Sequence, residues 1–209
     1  MPSQQRCRAL WRVAFIASFL FLFTACTQRV ELGPGELASE PPLQSKTERR
    51  TLDVLGNQLH TRAEFSVTGK ILSKRRYRWD RLTPLVPWDF AMGWGVLSDE
   101  AHLQHTRVTQ GDRFMFWHLY DSPLSLPLVE RSSANMHLIP ANEAVLKIMQ
   151  SVPRGAIVTI TGQLVDVTLQ NGKRIPTSLS RRDTGPGACE IVYVENLRVV
   201  HDVPGSVDV

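Results

Sequence analysis

Apolar and polar residues alternate from Ala63 to Ile71: Ala63, Phe65, Val67, Gly69 and Ile71 point one way, and Glu64, Ser66, Thr68 and Lys70 the other. A period of two is the mark of a strand with one buried face. Thr106 to Trp117 predicts a second strand, ending in Phe114-Met115-Phe116-Trp117. Val129 to Ile139 predicts a third, weakened by the polar middle Arg131 to Asn135. The period then changes. Val145, Ile148, Met149 and Val152 fall at helical spacing, with Asn142 as N-cap and Glu143 in the first turn, so a helix spans roughly 142–151. Pro153 and Gly155 end it. Residues 156–167 read as a strong strand, and Asn171-Gly172 as a hairpin turn to a returning strand at 173–180. Pro176 marks that strand as an edge. Cys189, Ile191 and Tyr193 alternate with Glu190, Val192 and Val194 in a last strand, which puts Cys189 on its core side.

Strands, one helix, then strands predict a mainly β (α+β) domain. A helix between the third and fourth strands of a five-stranded Greek-key barrel is the plan of an OB-like small barrel; an open α+β sheet is the competing plan. Segment 82–104 reads as irregular. Pro84, Pro87, Gly93 and Gly95 interrupt a run dense in Leu85, Trp88, Phe90, Met92, Trp94 and Leu97, and Ser98 is placed to cap a short helix through Leu103. So long an insertion is either functional or a lid that buries its tryptophans on one open end of the barrel.

The first residues carry an address. Arg6, Arg8 and Arg12 precede the short apolar run Val13–Phe23, then Thr24-Ala25-Cys26. A basic start, a short apolar stretch and small residues make a secretion signal, and the apolar run is too short for a comfortable transmembrane helix. The Phe23-Thr24-Ala25-Cys26 ending resembles the lipobox of bacterial lipoproteins, which implies cleavage at 25 and acylation (palmitate among the chains) of Cys26. Thr27 is not the aspartate that holds such proteins at the inner membrane. The expected location is therefore the cell envelope, at the outer membrane facing the periplasm in a diderm host. Expected organisation is signal peptide 1–25, lipid anchor and flexible tether 26–60, β-rich domain 61–200 and tail 201–209.

Removing the signal changes the charge argument. Of 24 Lys+Arg against 20 Asp+Glu, the signal takes three arginines and no acid, leaving 21 against 20. The basic balance of the whole chain is then no case for nucleic acid. Of three cysteines, Cys7 leaves with the signal and Cys26 would be lipidated. Cys189 remains alone, and burial and inertness are the usual state of such a thiol.

Three further stretches, Pro87 to Asp99, Asn135 to Asn142 and Asp183 to Glu190, resemble segments of a family of uncharacterised bacterial envelope proteins. The resemblance spans roughly 65–198 and implies a single domain, with no activity attached.

The candidate chemistry is sparse. Cys189 with His137 forms a possible nucleophile and base, with Asn135 or Asp183 orienting the base and Gly185 and Gly187 leaving backbone N–H groups for an oxyanion. Its rival is a thiol that merely packs. Asp183-Thr184-Gly185 spells the aspartic-protease triplet, but a turn aspartate explains it as well. His102 and His105 fall three apart on the short helix, with His118 and His137 as the other histidines weighed for a metal; no motif supports one, so neither metal nor cofactor is expected. The run Lys74 to Arg81 interleaves Arg75, Arg76, Arg78 and Arg81 with Tyr77 and Trp79. Outside the cytoplasm such a face suits anionic lipid, lipopolysaccharide or an envelope protein; its rival is a solvated strand end. The expectation is a non-enzymatic envelope lipoprotein that binds through Arg75, Arg76, Tyr77, Arg78, Trp79, Arg81, Trp88 and Trp94. The alternatives are a hydrolase or acyltransferase using Cys189, His137 and Asp183, and an accessory structural subunit of an envelope apparatus.

Overall fold

The computed structural model describes residues 29–180, 183 and 185–201, so the expected signal, Cys26 and most of the C-terminal tail lie outside the described residues. Among the described residues ten strands run β1 Leu43–Ser45, β2 Thr51–Val54, β3 Asn57–Arg76, β4 Trp88–Gly93, β5 Thr106–Gly111, β6 Phe114–Leu119, β7 Ser133–Pro140, β8 Ile157–Thr168, β9 Arg174–Ile175 and β10 Glu190–His201. Three α-helices, α1 Glu100–Leu103, α2 Leu126–Arg131 and α3 Glu143–Ser151, join them.

The architecture is mainly β, and its centre is a closed ring of five strands. β3 pairs β4, β4 pairs β7, β7 pairs β10, β10 pairs β8, and β8 returns to β3. All contacts are antiparallel except β7 with β10. Closure depends on the twenty-residue β3. Its first part pairs with β8 and its end with β4, and Lys70 is the shared residue, opposite both Ile157 and Gly93. Register shifts at Thr61/Ala63 and Ile71/Ser73 let this one strand bend around the ring. The interior is filled from every wall by Phe65, Val67, Ile71, Phe90, Met92, Met136, Leu138, Ile160, Leu164, Val192 and Val194. Helix α3 supplies Val145 and Met149, and its N-cap is Asn142, whose side chain accepts from the Val145 N–H at 3.0 Å.

Several expectations need correction. The second ring strand is Trp88–Gly93, inside the segment expected to be irregular. It is covered on both faces, so its sequence shows no alternation. The stretch 106–117 is instead a separate hairpin, β5–β6. That hairpin belongs to an insertion between β4 and β7, which packs on the ring's outer face through Leu72, Ala91, Leu97, Leu103, Val108, Leu124 and Val129. Val129 and Arg131 sit in α2, and the third ring strand starts at Ser133. Its polar residues are buried because the hairpin covers them. Among the described residues α2 is a helix that was not expected, while the short helix expected to end at Leu103 is α1. α1 is capped by Asp99, which accepts from Ala101, while Ser98 ends a preceding 3-10 turn.

Residues 29–56, expected to form a tether, lie along the domain. The Val30 N–H donates to Arg154 O at 2.8 Å, Gly35 N–H to Asp99 at 2.9 Å, and Ala38 N–H to Ser98 Oγ at 3.1 Å. β1 and β2 then pair with β3. Gly155 (φ +87°) makes room for this strap: a Cβ there would fall 1.9 Å from Val30 O.

The ring's tightest crossing is at Gly162, where a Cβ would lie 2.0 Å from Tyr193 O and 3.0 Å from Glu195 N. Gly162→Ala must push β8 away from β10. Overpacking costs about 1–3 kcal/mol, so the melting temperature should fall by roughly 3–10 °C. An unchanged melting temperature would show that the two strands have slack.

Candidate thiol site between the ring and its hairpin

The two-residue period that sends Phe90, Met136, Leu138, Val192 and Val194 inward sends their neighbours Asp89, Asn135, His137 and Cys189 outward. Register then gathers them. Asp89 lies opposite His137, and Ala91 opposite Asn135. On the parallel side His137 pairs with Ile191, which leaves Cys189 level with Asn135. Cys189 is half-exposed rather than in the core, because the core side of β10 is the one occupied by Val192 and Val194.

Asp89 is wholly buried, yet its carboxylate meets two cations. Arg113 donates to its Oδ1 at 2.7 Å, and His137 Nδ1 lies 3.0 Å from the same oxygen. The histidine contact is close enough for an ion pair but too oblique for a straight hydrogen bond. Burial alone would lower the His137 pKa. Asp89 and the adjacent Cys189 sulfur override it and raise it to about 9. At neutral pH the imidazole is therefore protonated, between a carboxylate and a thiol.

Arg113 holds this corner together. It sits with Asp112 in the two-residue turn of the β5–β6 hairpin, both at positive φ (+68° and +50°). Such a turn favours Asn and Gly, so Arg113 is strained there. In that position its guanidinium lies 3.7 Å from the Tyr77 ring centroid, forks onto Asp80 at 2.9 and 3.0 Å, and donates to Val86 O. Its backbone N–H donates to the Tyr77 hydroxyl. Asp80 responds as expected: burial pushes its pKa up, but Arg113 outweighs that and holds it low. Burial, then Asp89, raises the Tyr77 phenol.

Asn135 is fixed from two sides. Its oxygen accepts from Gln110 Nε2 at 2.7 Å, and its amide donates to Arg113 O at 2.9 Å. The same amide nitrogen lies 3.6 Å from the Cys189 sulfur, so its second N–H is aimed at the thiol. The sulfur also contacts Arg113 O at 3.7 Å. Cys189 opens onto a cleft of about 210 Å³ walled by Phe114, Phe116 and Trp117 on one side and Ser180, Asp183 and Gly185 on the other.

Of the residues predicted from sequence, His137 and Cys189 come together, and Asp183 lines the same cleft. The group that meets the imidazole is Asp89, however, not Asp183, whose carboxylate accepts from Ser178 Oγ at 2.7 Å. Asp89 and Arg113 were missed. A lone aspartate between Trp88 and Phe90 was the available signal. The basic-aromatic run divides. Arg75, Arg76, Arg78 and Arg81 are exposed and Trp79 is 95% exposed. Tyr77 is engaged by Arg113, and Trp94 is buried in the ring with its indole N–H on Arg131 O, so neither belongs to an open surface. Trp88 is half-buried under Lys74 and Arg76. Lys74 donates to the Gln150 and Val152 carbonyls at the end of α3, and burial lowers its pKa to about 8. His105 faces Tyr120 O and His118 faces Thr109, and among the described residues no three metal-ligating side chains converge.

No family model, curated protein or solved structure matches this chain.

The raised His137 pKa ties stability to pH. A group whose pKa rises on folding, here from 6.5 to about 9, stabilises fully below 6.5 and loses that contribution between 6.5 and 9. A shift of this size corresponds to on the order of 3 kcal/mol. Lys74 acts oppositely: its lowered pKa makes stability rise from about pH 8 to 10.5. Subtracting the denaturation profile of His137→Gln from that of wild type isolates the histidine. Parallel profiles between pH 6.5 and 9 would show that His137 is neutral in the folded protein.

Proposed function

We propose that this chain is a cysteine-dependent acyl-transfer enzyme, with Cys189 as nucleophile, His137 as proton carrier, Asp89 as the positioning residue behind it, and the Asn135 N–H that faces the sulfur as an oxyanion donor once an acyl group is attached there. One observation carries the reading: an imidazole packed between a buried carboxylate and a thiol that opens onto a cleft. The reactive form of cysteine is the thiolate, and a protonated imidazole beside the sulfur is placed to hand a proton to a leaving group. The thiolate attacks the acyl carbon, and the carbonyl electrons move to an oxygen that Asn135 can meet. As the carbon–heteroatom bond breaks, His137 gives its proton to the leaving group. Water or another nucleophile then attacks the thioester, returns a proton to His137 and frees the sulfur. Phe114, Phe116 and Trp117 suit an acyl group with an apolar portion.

Short-chain p-nitrophenyl esters test this. The wild type should release about one nitrophenolate per chain in a burst, with a labelled thioester trapped on Cys189. Cys189→Ala should abolish the burst, and His137→Gln should slow it by about 10²–10⁴-fold. Asp89→Asn should slow it less and alter its pH profile. The proposal fails if Cys189→Ala is as active as wild type and the folded thiol reacts with iodoacetamide no faster than free cysteine.

The ring supports the finer fold reading too. Taking β3, β4, β7, β8 and β10 as strands one to five, the order around the ring is one-two-three-five-four, with α3 between the third and fourth. This order and helix position support reading the ring as an OB-like barrel.

A second reading, an envelope lipoprotein that contacts anionic surfaces, is favoured by the open side chain of Trp79 among four exposed arginines. The docked strap sharpens it. Arg29 already pairs with Glu100, so only Thr27 and Gln28 separate it from Cys26, a reach of about 10 Å. Lipidation would hold the domain against its membrane rather than on a long leash. Fatty-acid labelling should disappear in Cys26→Ser. The soluble domain should bind phosphatidylglycerol vesicles in a salt-sensitive way, and replacing Arg75, Arg76 and Arg78 by serine should weaken binding by roughly two orders of magnitude. Equal labelling of Cys26→Ser, or equal vesicle binding by the triple variant, refutes the corresponding half.

A further inference from the structure

A second cavity, of about 160 Å³, lies on the other side of the insertion, where β3 passes from β8 to β4. Its lining includes Arg29 from the strap, Lys70 from β3, Thr106 and Arg107 from β5, and Arg154 from the loop before β8. Four cations face one small space. Glu100 answers two of them: one of its oxygens pairs with Lys70 and the other with Arg29. Its single negative charge is thereby engaged at both ends. Among the described residues neither Arg107 nor Arg154 has a carboxylate partner.

Two donors in this lining are unsatisfied. Arg154 Nε and Thr106 Oγ1 are both shut off from solvent without a hydrogen-bond partner, and Thr106 is only 6% exposed. Buried polar groups without partners are rare and costly. The arginines also repel one another: burial first, then Arg29 and Arg107, lowers the Arg154 pKa. Packing alone gives no reason to hold uncompensated cations and orphan donors around a cavity. An anion would answer all of them together.

We propose that this cavity binds a phosphate group, with Arg107 and Arg154 as its principal ligands, Thr106 Oγ1 as a neutral donor, and Arg29 and Lys70 adding charge. Guanidinium groups meet phosphate oxygens in paired hydrogen bonds, and the space suits a headgroup-sized oxyanion rather than a large molecule. The proposal stands independently of the thiol chemistry, since it uses none of the same residues. The phosphate can belong to a soluble metabolite or to a lipid headgroup. Arg29 of the strap lines the cavity and follows Cys26 by three residues in sequence, so the experiment separates the two.

Inorganic phosphate is titrated against the purified protein by calorimetry and thermal melting, with chloride added to hold ionic strength constant. Phosphate should bind and raise the melting temperature, chloride should not, and Arg107→Ser with Arg154→Gln should lower affinity by at least about tenfold. Without phosphate the double variant should melt at or above wild type, because the repulsion is relieved. A purely structural role for these stems predicts a lower melting temperature. Arg107→Ser alone, at an exposed position, serves if the double variant fails to fold. Vesicles of phosphatidylglycerol and of phosphatidylcholine form the second arm. Binding to either that free phosphate displaces, and that both substitutions weaken, assigns the headgroup. Phosphate binding with no such vesicle competition assigns a soluble ligand. Absence of phosphate binding to wild type, or equal binding by the double variant, overturns the proposal.

Discussion

A carboxylate with no access to water sets the terms for one whole side of this molecule. Asp89 lies on a ring strand, faces away from the ring's interior, and is fully covered. An isolated buried charge costs far more than a small domain can tolerate, so it must be matched at short range. His137 matches it from the neighbouring strand, where register alone brings the two side chains level. Arg113 comes from a different element and reaches it only because the β5–β6 hairpin ends there in a strained turn. The hairpin's placement is thus tied to Asp89. So are the cover over β7, the two bonds that aim Asn135 at the sulfur, and the apolar wall of the cleft. Pairs of this kind contribute little net stability compared with an apolar core of the same shape, whereas losing one partner is expensive. Retaining Asp89 therefore makes physical sense if the charge has work to do on His137.

Much of the ring was legible from the chain. The first part of β3 shows a clean period of two, and β8 and the start of β10 are rich in valine and isoleucine, which favour strands. The helix at 143–151 was legible from spacing, an N-cap and a stop signal. β4 was not legible, because burial on both faces erases the period. The β5–β6 hairpin was hidden for another reason: its turn is Asp112-Arg113, and the arginine takes the place where positive φ normally selects glycine. Both failures fall where the thiol site is assembled. A strand buried on both faces and a turn that breaks the local rule are what a site packed between ring and insertion requires. The strap at 29–45 was mistaken for a linker because its proline, glycine and scattered charge are equally those of a chain lying flat on a surface. Its partners, Arg154, Asp99, Ser98 and Glu100, are distant in sequence and could not be inferred from spacing.

The candidate site shows the same division. Cys189 and His137 could be paired on paper because few residues of those types are present. Asp183 was a reasonable third member by proximity in sequence to Cys189. Register settled the matter otherwise: residue 183 belongs to the loop that enters β10, and residue 89 lies across from residue 137 on the adjacent strand. In a ring sheet, chemical partners come from neighbouring strands at one level, and neighbouring strands here are 48 and 54 residues apart in pairings such as Asp89 with His137 and His137 with Ile191. Sequence reading weights nearness along the chain, so it does not point to Asp89, the carboxylate that meets His137.

The two cavities, finally, differ in how they treat charge, and the difference bears on what each can do. Around Cys189 the cations are matched: Arg113 answers Asp80 and Asp89, and His137 answers Asp89, so the local charges offset one another and a proton can pass without leaving a bare ion behind. Such a balance suits chemistry, in which the same site must accept successive charge distributions. Around Arg154 the balance is left open, with cations in excess and donors lacking partners. That arrangement is a poor place to move protons and a good place to hold an anion. It also depends on the strap: Arg29 lines the cavity, and the strap's backbone is bonded to Arg154, so an occupant there would tie the strap more firmly to the ring. Anion binding and the position of the N-terminal segment are then one equilibrium, coupled through direct contact rather than through any rearrangement of the ring.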